Sequence, residues 1–227
     1  MQIFFFVLET VGVIAFAVAG SLAAIDKETD VFGGLFLSLI TCFGGGMIRD
    51  VLIGRTPSFF TSYFHIACAV ATCLTVFILA AVFKRQYIKK EWLVDRINNY
   101  FDAVGLGIFA VTGAKICIDC GFDSPLVAIS LGMITSIGGG MIRDLCLREM
   151  PFVLNKRIYA VASLAGASLY YVLARFSERS EYLALLVGVI AVFLIRVLAT
   201  VFELDMPKAI IFEKEREKAL TAQANDK

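Results

Sequence analysis

Long apolar stretches alternate with short polar ones along the chain. Apolar runs of about 20 residues recur at 3–25, 31–54, 59–83, 100–119, 124–145, 158–175 and 182–203. A helix needs about 20 such residues to cross roughly 30 Å of hydrocarbon. Runs of this length predict membrane-spanning helices and exclude the shorter alternating strands of a barrel. The stretch 56–83 is the cleanest, with no formal charge before Lys84, whereas glycine and charge interrupt the second and fifth runs. The expected fold is therefore an all-α membrane protein with seven transmembrane helices. The first run is expected to be a helix and not a signal peptide, since it has no basic leader and carries Glu9 inside the apolar stretch.

Composition agrees. The chain is 59% hydrophobic and 18% charged, with mean hydropathy +0.82, whereas soluble domains run nearer half apolar and a quarter charged. This excludes a disordered chain, a fibrous repeat and an ordinary cytosolic enzyme. A net charge of +1 leaves no basic excess for nucleic acid, and no nucleic-acid partner is expected. Position makes the charge informative. Segments 26–30, 84–99, 143–157 and the tail after 203 hold 15 Lys and Arg, while the alternate set holds 5: Arg49, Arg55, Lys115, Arg175 and Arg179. Basic residues favour the cytoplasmic side, so the N-terminus is expected outside and the C-terminus inside. Segment 84–99 reads as a basic cytoplasmic loop with a charge suited to anionic lipid. The stretch 204–227 reads as a polar tail with no assigned role.

An internal duplication carries the most information. GGGMIRD occurs at 44–50 and again at 138–144, and the match continues to Pro57 and Pro151, with 8 identities in 14 positions at an offset of 94. Upstream, 9–26 aligns with 102–119 at an offset of 93. That pairs Gly12 with Gly105, Phe16 with Phe109, Gly20 with Gly113, and Glu9 with Asp102. The chain thus divides into a three-helix repeat over 1–83, the loop 84–99, a second three-helix repeat over 100–175, a seventh helix at 182–203 and the tail 204–227. Three is odd, so the second copy enters the membrane from the opposite side, and the repeats are expected to be inverted about an axis in the membrane plane.

Gly44, Gly45, Gly46 and Gly138, Gly139, Gly140 each cost about 3 kcal/mol of helix propensity as a triplet relative to alanine. Two readings stand. The triplets kink helices two and five beside a pore, where freed carbonyls replace part of an ion's hydration shell. Alternatively, they let helix backbones approach closely. Arg49–Asp50 and Arg143–Asp144 follow at once. Charges inside spans face a cavity or a partner, and neighbours on a helix point about 100° apart, so each is expected to pair elsewhere. The repeat suggests Glu9 with Arg49 and Asp102 with Arg143. The other reading places all four at headgroup-level helix ends, with the two acids favoured by the helix dipole. Lys115 has no counterpart in the first repeat and either faces the pore or snorkels. Arg196 is expected to snorkel toward the cytoplasm.

The cysteines Cys42, Cys68, Cys73, Cys117, Cys120 and Cys146 lie in or beside apolar spans, where a thiol behaves as a small hydrophobe. Cys117 and Cys120 form a single C-x-x-C with no second ligand pair, so no metal site is expected. His65, the one histidine, is expected to be interfacial or packed. No nucleophile–base–acid set points to an enzyme.

Two three-helix repeats, each with GGGMIRD, followed by a seventh helix resemble the trimeric intracellular cation channel family, and more closely its prokaryotic branch. The resemblance covers about 1–205. It implies a homotrimer in the prokaryotic plasma membrane, with one pore per subunit bounded by kinked helices two and five. It implies permeation of monovalent cations, chiefly potassium, with sodium as a second permeant ion, and no cofactor beyond bound lipid. The glycine triplets would then be the kinks, with Arg49, Asp50, Arg143, Asp144 and Lys115 lining the pore or gating it, supported by Glu9 and Asp102. Related sequences are also described as glycine transporters, so a secondary carrier for glycine or a similar small zwitterion is the alternative. The third reading is a structural membrane protein whose glycines only pack.

Overall fold

A computed structural model of the chain describes residues 2–83, 91–155, 158–176 and 181–202. The tail 204–227 and residues 84–90 of the expected basic loop 84–99 therefore lie outside the described residues. Seven long helices are present among the described residues: α1 (Gln2–Asp26), α2 (Val31–Leu52), α3 (Tyr63–Val82), α4 (Glu91–Asp119), α5 (Pro125–Cys146), α6 (Tyr159–Phe176) and α7 (Glu181–Val201). A 3-10 turn at Ser58–Phe60 precedes α3, and a single helical turn at Phe152–Asn155 precedes α6.

Boundaries follow the apolar pattern, with one exception. Helix α4 begins at Glu91, well before the expected 100. The added residues interleave Trp92, Leu93, Val94 and Ile97 with Glu91, Asp95, Arg96, Asn98 and Asn99, and counting unbroken apolar positions misses such a mixed start. Six of the seven helices are long and apolar enough to cross a membrane, and α6 is not among them. It buries Ser163, Tyr170 and Tyr171, which lower its mean hydropathy, against neighbouring helices, while Val161, Leu164 and Val172 stay exposed on its other side.

Helix directions alternate, as contacts at the two ends show. At the proximal end, Phe4 meets Tyr182 edge-on at 5.1 Å, Arg175 bridges Asp123 at 2.7 Å, and the Tyr171 hydroxyl donates to the Asp123 carbonyl at 2.8 Å. At the distal end, Lys27 bridges Glu149 at 2.5 Å. Helix α1 runs proximal to distal and α4 the reverse; α2 runs distal to proximal and α5 the reverse.

The two duplicated segments share backbone detail. After α2, Ile53 N–H donates to Arg49 O at 3.0 Å and Arg55 N–H to Asp50 O at 2.8 Å. After α5, Leu147 donates to Arg143 O at 3.0 Å and Glu149 to Asp144 O at 2.9 Å. Gly54 (φ +70°) and Arg148 (φ +57°) occupy the same left-handed turn position. The α1 and α4 ends also match. Thr29 N–H donates to Ala24 O at 3.1 Å and Phe122 to Cys117 O at 3.0 Å, with Glu28 (φ +53°) and Gly121 (φ +88°) in the left-handed region. At the centre the matched Phe16 and Phe109 stack on each other, with centroids 5.1 Å apart.

Candidate functional site

The glycine triplets lie where α2 and α5 cross. A Cβ on Gly45 would sit 2.1 Å from the Thr135 carbonyl oxygen, and one on Gly139 would sit 2.1 Å from the Thr41 carbonyl oxygen. Gly138 and Gly44 face the partner triplet's backbone in the same way. The reciprocal contact, 45 with 135 and 139 with 41, makes the crossing antiparallel. Both helices run unbroken through their triplets. Of the two readings of the triplets, close approach of the helix backbones is the one this geometry displays. The missing side chains are used for contact between backbones, and the helical hydrogen bonds that a break would free are retained. Thr41 and Thr135 flank the crossing, and each hydroxyl donates to the carbonyl four residues earlier at 2.6 Å.

The charged pairs sit one turn beyond each triplet, and all four side chains are buried. Arg49 donates from Nε to Asp50 Oδ1 at 2.9 Å and from Nη2 at 2.7 Å. Arg143 donates from Nε to Asp144 Oδ1 at 2.9 Å, with Nη2 also 2.9 Å away. The second carboxylate oxygens accept from the next turns, Asp50 from Ser58 N–H at 2.8 Å and Asp144 from Phe152 N–H at 2.9 Å. The expectation that neighbouring Arg and Asp cannot pair is corrected here. The 100° rule describes where Cβ atoms point, and an arginine is long enough to curl back to the adjacent carboxylate. In a dry interior that contact is worth more than in water. Each Arg-Asp unit therefore fastens the loop after its helix.

The expected cross-pairs divide. Arg143 Nη1 lies 3.9 Å from Asp102 Oδ1. Glu9 makes no such bridge, since Arg49 bridges only Asp50 among the described residues. Glu9 and Arg49 instead share the lining of a cavity of about 140 Å3 with Gly46, Arg55, His65 and Thr135. The lining of this proximal cavity extends from Ser58, Thr61 and Ser62 to Gly46 and Thr135 at the crossing. His65, packed as expected, faces Thr10 with Nε2 3.2 Å from the hydroxyl and stacks near Phe6.

Lys115 is not in that lining. Its ammonium bridges Asp119 at 3.0 Å and pairs with Glu181 at the start of α7, so it ties α4 to α7 and neither snorkels nor faces the cavity. Arg196 does not snorkel either. It is buried, lies 3.9 Å from Asp102 Oδ2 and sits 4.6 Å over the Tyr159 ring. Reading the repeat further would have found Tyr159, which falls at the position matching His65 at the offset of 94. Arg196 has no repeat counterpart, and its only signal was a position well inside α7.

Fold and site together define a polytopic helical membrane protein built on two matched polar half-sites around one helix crossing. The family model described as glycine transporter matches residues 6–81 and 99–175, close to the two duplicated segments. An inner membrane protein of Escherichia coli, YadS, is 33% identical over 214 residues, covering 92% of this chain and 98% of that protein. The crystal structure of the trimeric intracellular cation (TRIC) channel orthologue from Rhodobacter sphaeroides is 35% identical and covers 88% of this chain and 98% of that one, with TM-score 0.78. A crystal structure of a prokaryotic TRIC channel in 0.5 M KCl reaches TM-score 0.81 at 30% identity, over 91% of this chain and 100% of that one. The chain belongs to the prokaryotic branch of the trimeric intracellular cation channel family. With channels and membrane proteins as its relatives, it is not an enzyme.

Proposed function

We propose that the chain forms a homotrimeric, potassium-permeable channel for monovalent cations, with one pathway in each subunit. The observation that carries this reading is the α2–α5 crossing, with a polar half-site at each end. Glu9, Arg49 and Asp50 lie on the proximal side; Asp102, Arg143 and Asp144 lie on the distal side. In this reading all seven helices span the membrane as two inverted three-helix repeats followed by α7. The distal end is cytoplasmic in this reading, because the sequence segments richer in lysine and arginine are the ones that follow or precede helix ends on that side. The pathway runs from the proximal cavity past Gly46 and Thr135 to the distal half-site. Carboxylates beside each arginine offset the repulsion that a bare guanidinium would exert on a cation, which gives modest cation selectivity. Kinship with cation channels of similar length supports the assignment.

Reconstitution into planar bilayers tests it. Discrete unitary currents, with a reversal potential that follows the potassium gradient, are expected. Saturable, ion-coupled glycine uptake without unitary currents would replace the channel with a carrier. Lys115, bound to Asp119 and Glu181, positions α7 in this scheme, so K115M is expected to leave the reversal potential unchanged.

A further inference from the structure

The two half-sites share a charge inventory, but their second arginines come from different places. The proximal site has Glu9, Asp50, Arg49 and Arg55, and Arg55 is an exposed loop residue at the cavity edge. The distal site has Asp102, Asp144, Arg143 and Arg196, and Arg196 comes from α7, outside the duplication. Each set sums to zero. On the distal side, however, the balancing cation is buried in the middle of the site.

The distal contacts are underbonded. Asp102 stands 3.9 Å from both Arg143 Nη1 and Arg196 Nη2, beyond the 2.7–2.9 Å of a charge-assisted hydrogen bond. Asp102 Oδ1, Arg143 Nη1 and Arg196 Nε are buried and have no hydrogen-bond partner. Arg143 is held by Asp144, but the 3.9 Å contact between Asp102 and Arg196 does not recover the desolvation of those two charges, so water is favoured at the cluster whenever there is room for it. What denies room is the seating of α7. A Cβ on Gly166 would lie 2.1 Å from Val192 Cγ2, and one on Gly107 would lie 3.0 Å from the Val189 carbonyl. Val192 is one turn before Arg196, so this close packing sets where the guanidinium enters.

We propose that Arg196 is the gate of the distal half-site. Its guanidinium lies over the Tyr159 ring beside Asp102, supplies the charge that keeps the closed site neutral, and leaves that place when α7 shifts to admit water and a cation. Its conduction readout rests on the channel reading above; its occlusion readout does not. A unit charge about 8 Å away, at an effective dielectric constant near 20, shifts a cation's occupancy by more than one tenfold step.

The test uses the full-length protein in proteoliposomes, with R196Q, R196K and the charge-balanced R196Q/D102N. Hydroxyl-radical labelling of Tyr159 reports water in the distal site whether or not current flows. Planar-bilayer recording reports conduction and the cation-to-anion permeability ratio. We expect Tyr159 labelling to rise severalfold in R196Q and in the double variant. Cation flux in R196Q is expected to rise on the order of tenfold with a more cation-selective reversal potential, and R196K to stay near wild type. Unchanged Tyr159 labelling in folded R196Q and R196Q/D102N would overturn the proposal whatever the currents. Failure of both variants to fold would make Arg196 a strut and also overturn it. Increased labelling with no current in any form would leave the gate standing and remove the channel reading.

Discussion

Adding one methyl group to the middle of a glycine triplet distinguishes a contact from a hinge. In G45A the new Cβ starts 2.1 Å from the Thr135 oxygen and 2.8 Å from the Ile134 oxygen; in G139A it starts 2.1 Å from the Thr41 oxygen and 2.9 Å from the Ile40 oxygen. Ordinary contact begins at 3.4 Å, so α2 and α5 must separate by more than an ångström, and both obstacles are helix backbone with no rotamer to yield. Overpacking of this kind costs about 1–3 kcal/mol, against which alanine regains about 1 kcal/mol of helix propensity. At the end of each triplet the balance reverses. A Cβ on Gly46 meets nothing nearer than Arg49 Nη2 at 3.6 Å, and one on Gly140 nothing nearer than the Tyr159 hydroxyl at 3.6 Å. G46A and G140A should therefore be neutral or gain up to about 1 kcal/mol. The assay is thermal unfolding in detergent followed by size-exclusion chromatography, with bilayer recording on the survivors. G45A and G139A are expected to melt lower than wild type, and G46A and G140A at or above it. If all four variants fall together, the triplets act through helix flexibility and the contact argument fails.

Three further outcomes follow from the same geometry. D50N leaves the buried Arg49 without its carboxylate and should destabilise by about 3–5 kcal/mol, as a broken buried pair does, measured by the same melting assay, while D26N at the exposed distal end should shift little. G54A forces a side chain into the left-handed turn at φ +70° and should cost about 1 kcal/mol, whereas R148G relieves the matching position and should cost nothing or stabilise slightly; equal and opposite shifts to these would contradict the turn assignment. K115M strands Glu181 and loosens the start of α7, so it should lower the melting temperature while reversal potentials hold; a changed reversal potential would return Lys115 to the pathway.

The helices and the duplication were legible in the chain itself. Lipid cannot satisfy a freed backbone group, so about 20 apolar residues in a row leave few options besides a helix, and GGGMIRD at two matched places needs no coordinates to be seen. Its consequence even reaches single hydrogen bonds, since Asp50 holds Ser58 N–H as Asp144 holds Phe152 N–H. What the chain withheld is which surface each residue meets. Spacing gives the direction of a Cβ, but Arg49 and Arg143 reach around to their neighbours, Arg196 reaches across from α7 to Asp102, and Lys115 finds Glu181 at a distance of 66 residues. The glycine triplets show the same limit. Propensity alone reads them as weak points in α2 and α5. Only the packed structure, where each triplet's missing side chains admit the other helix's carbonyls, makes them the tightest contact between the two halves.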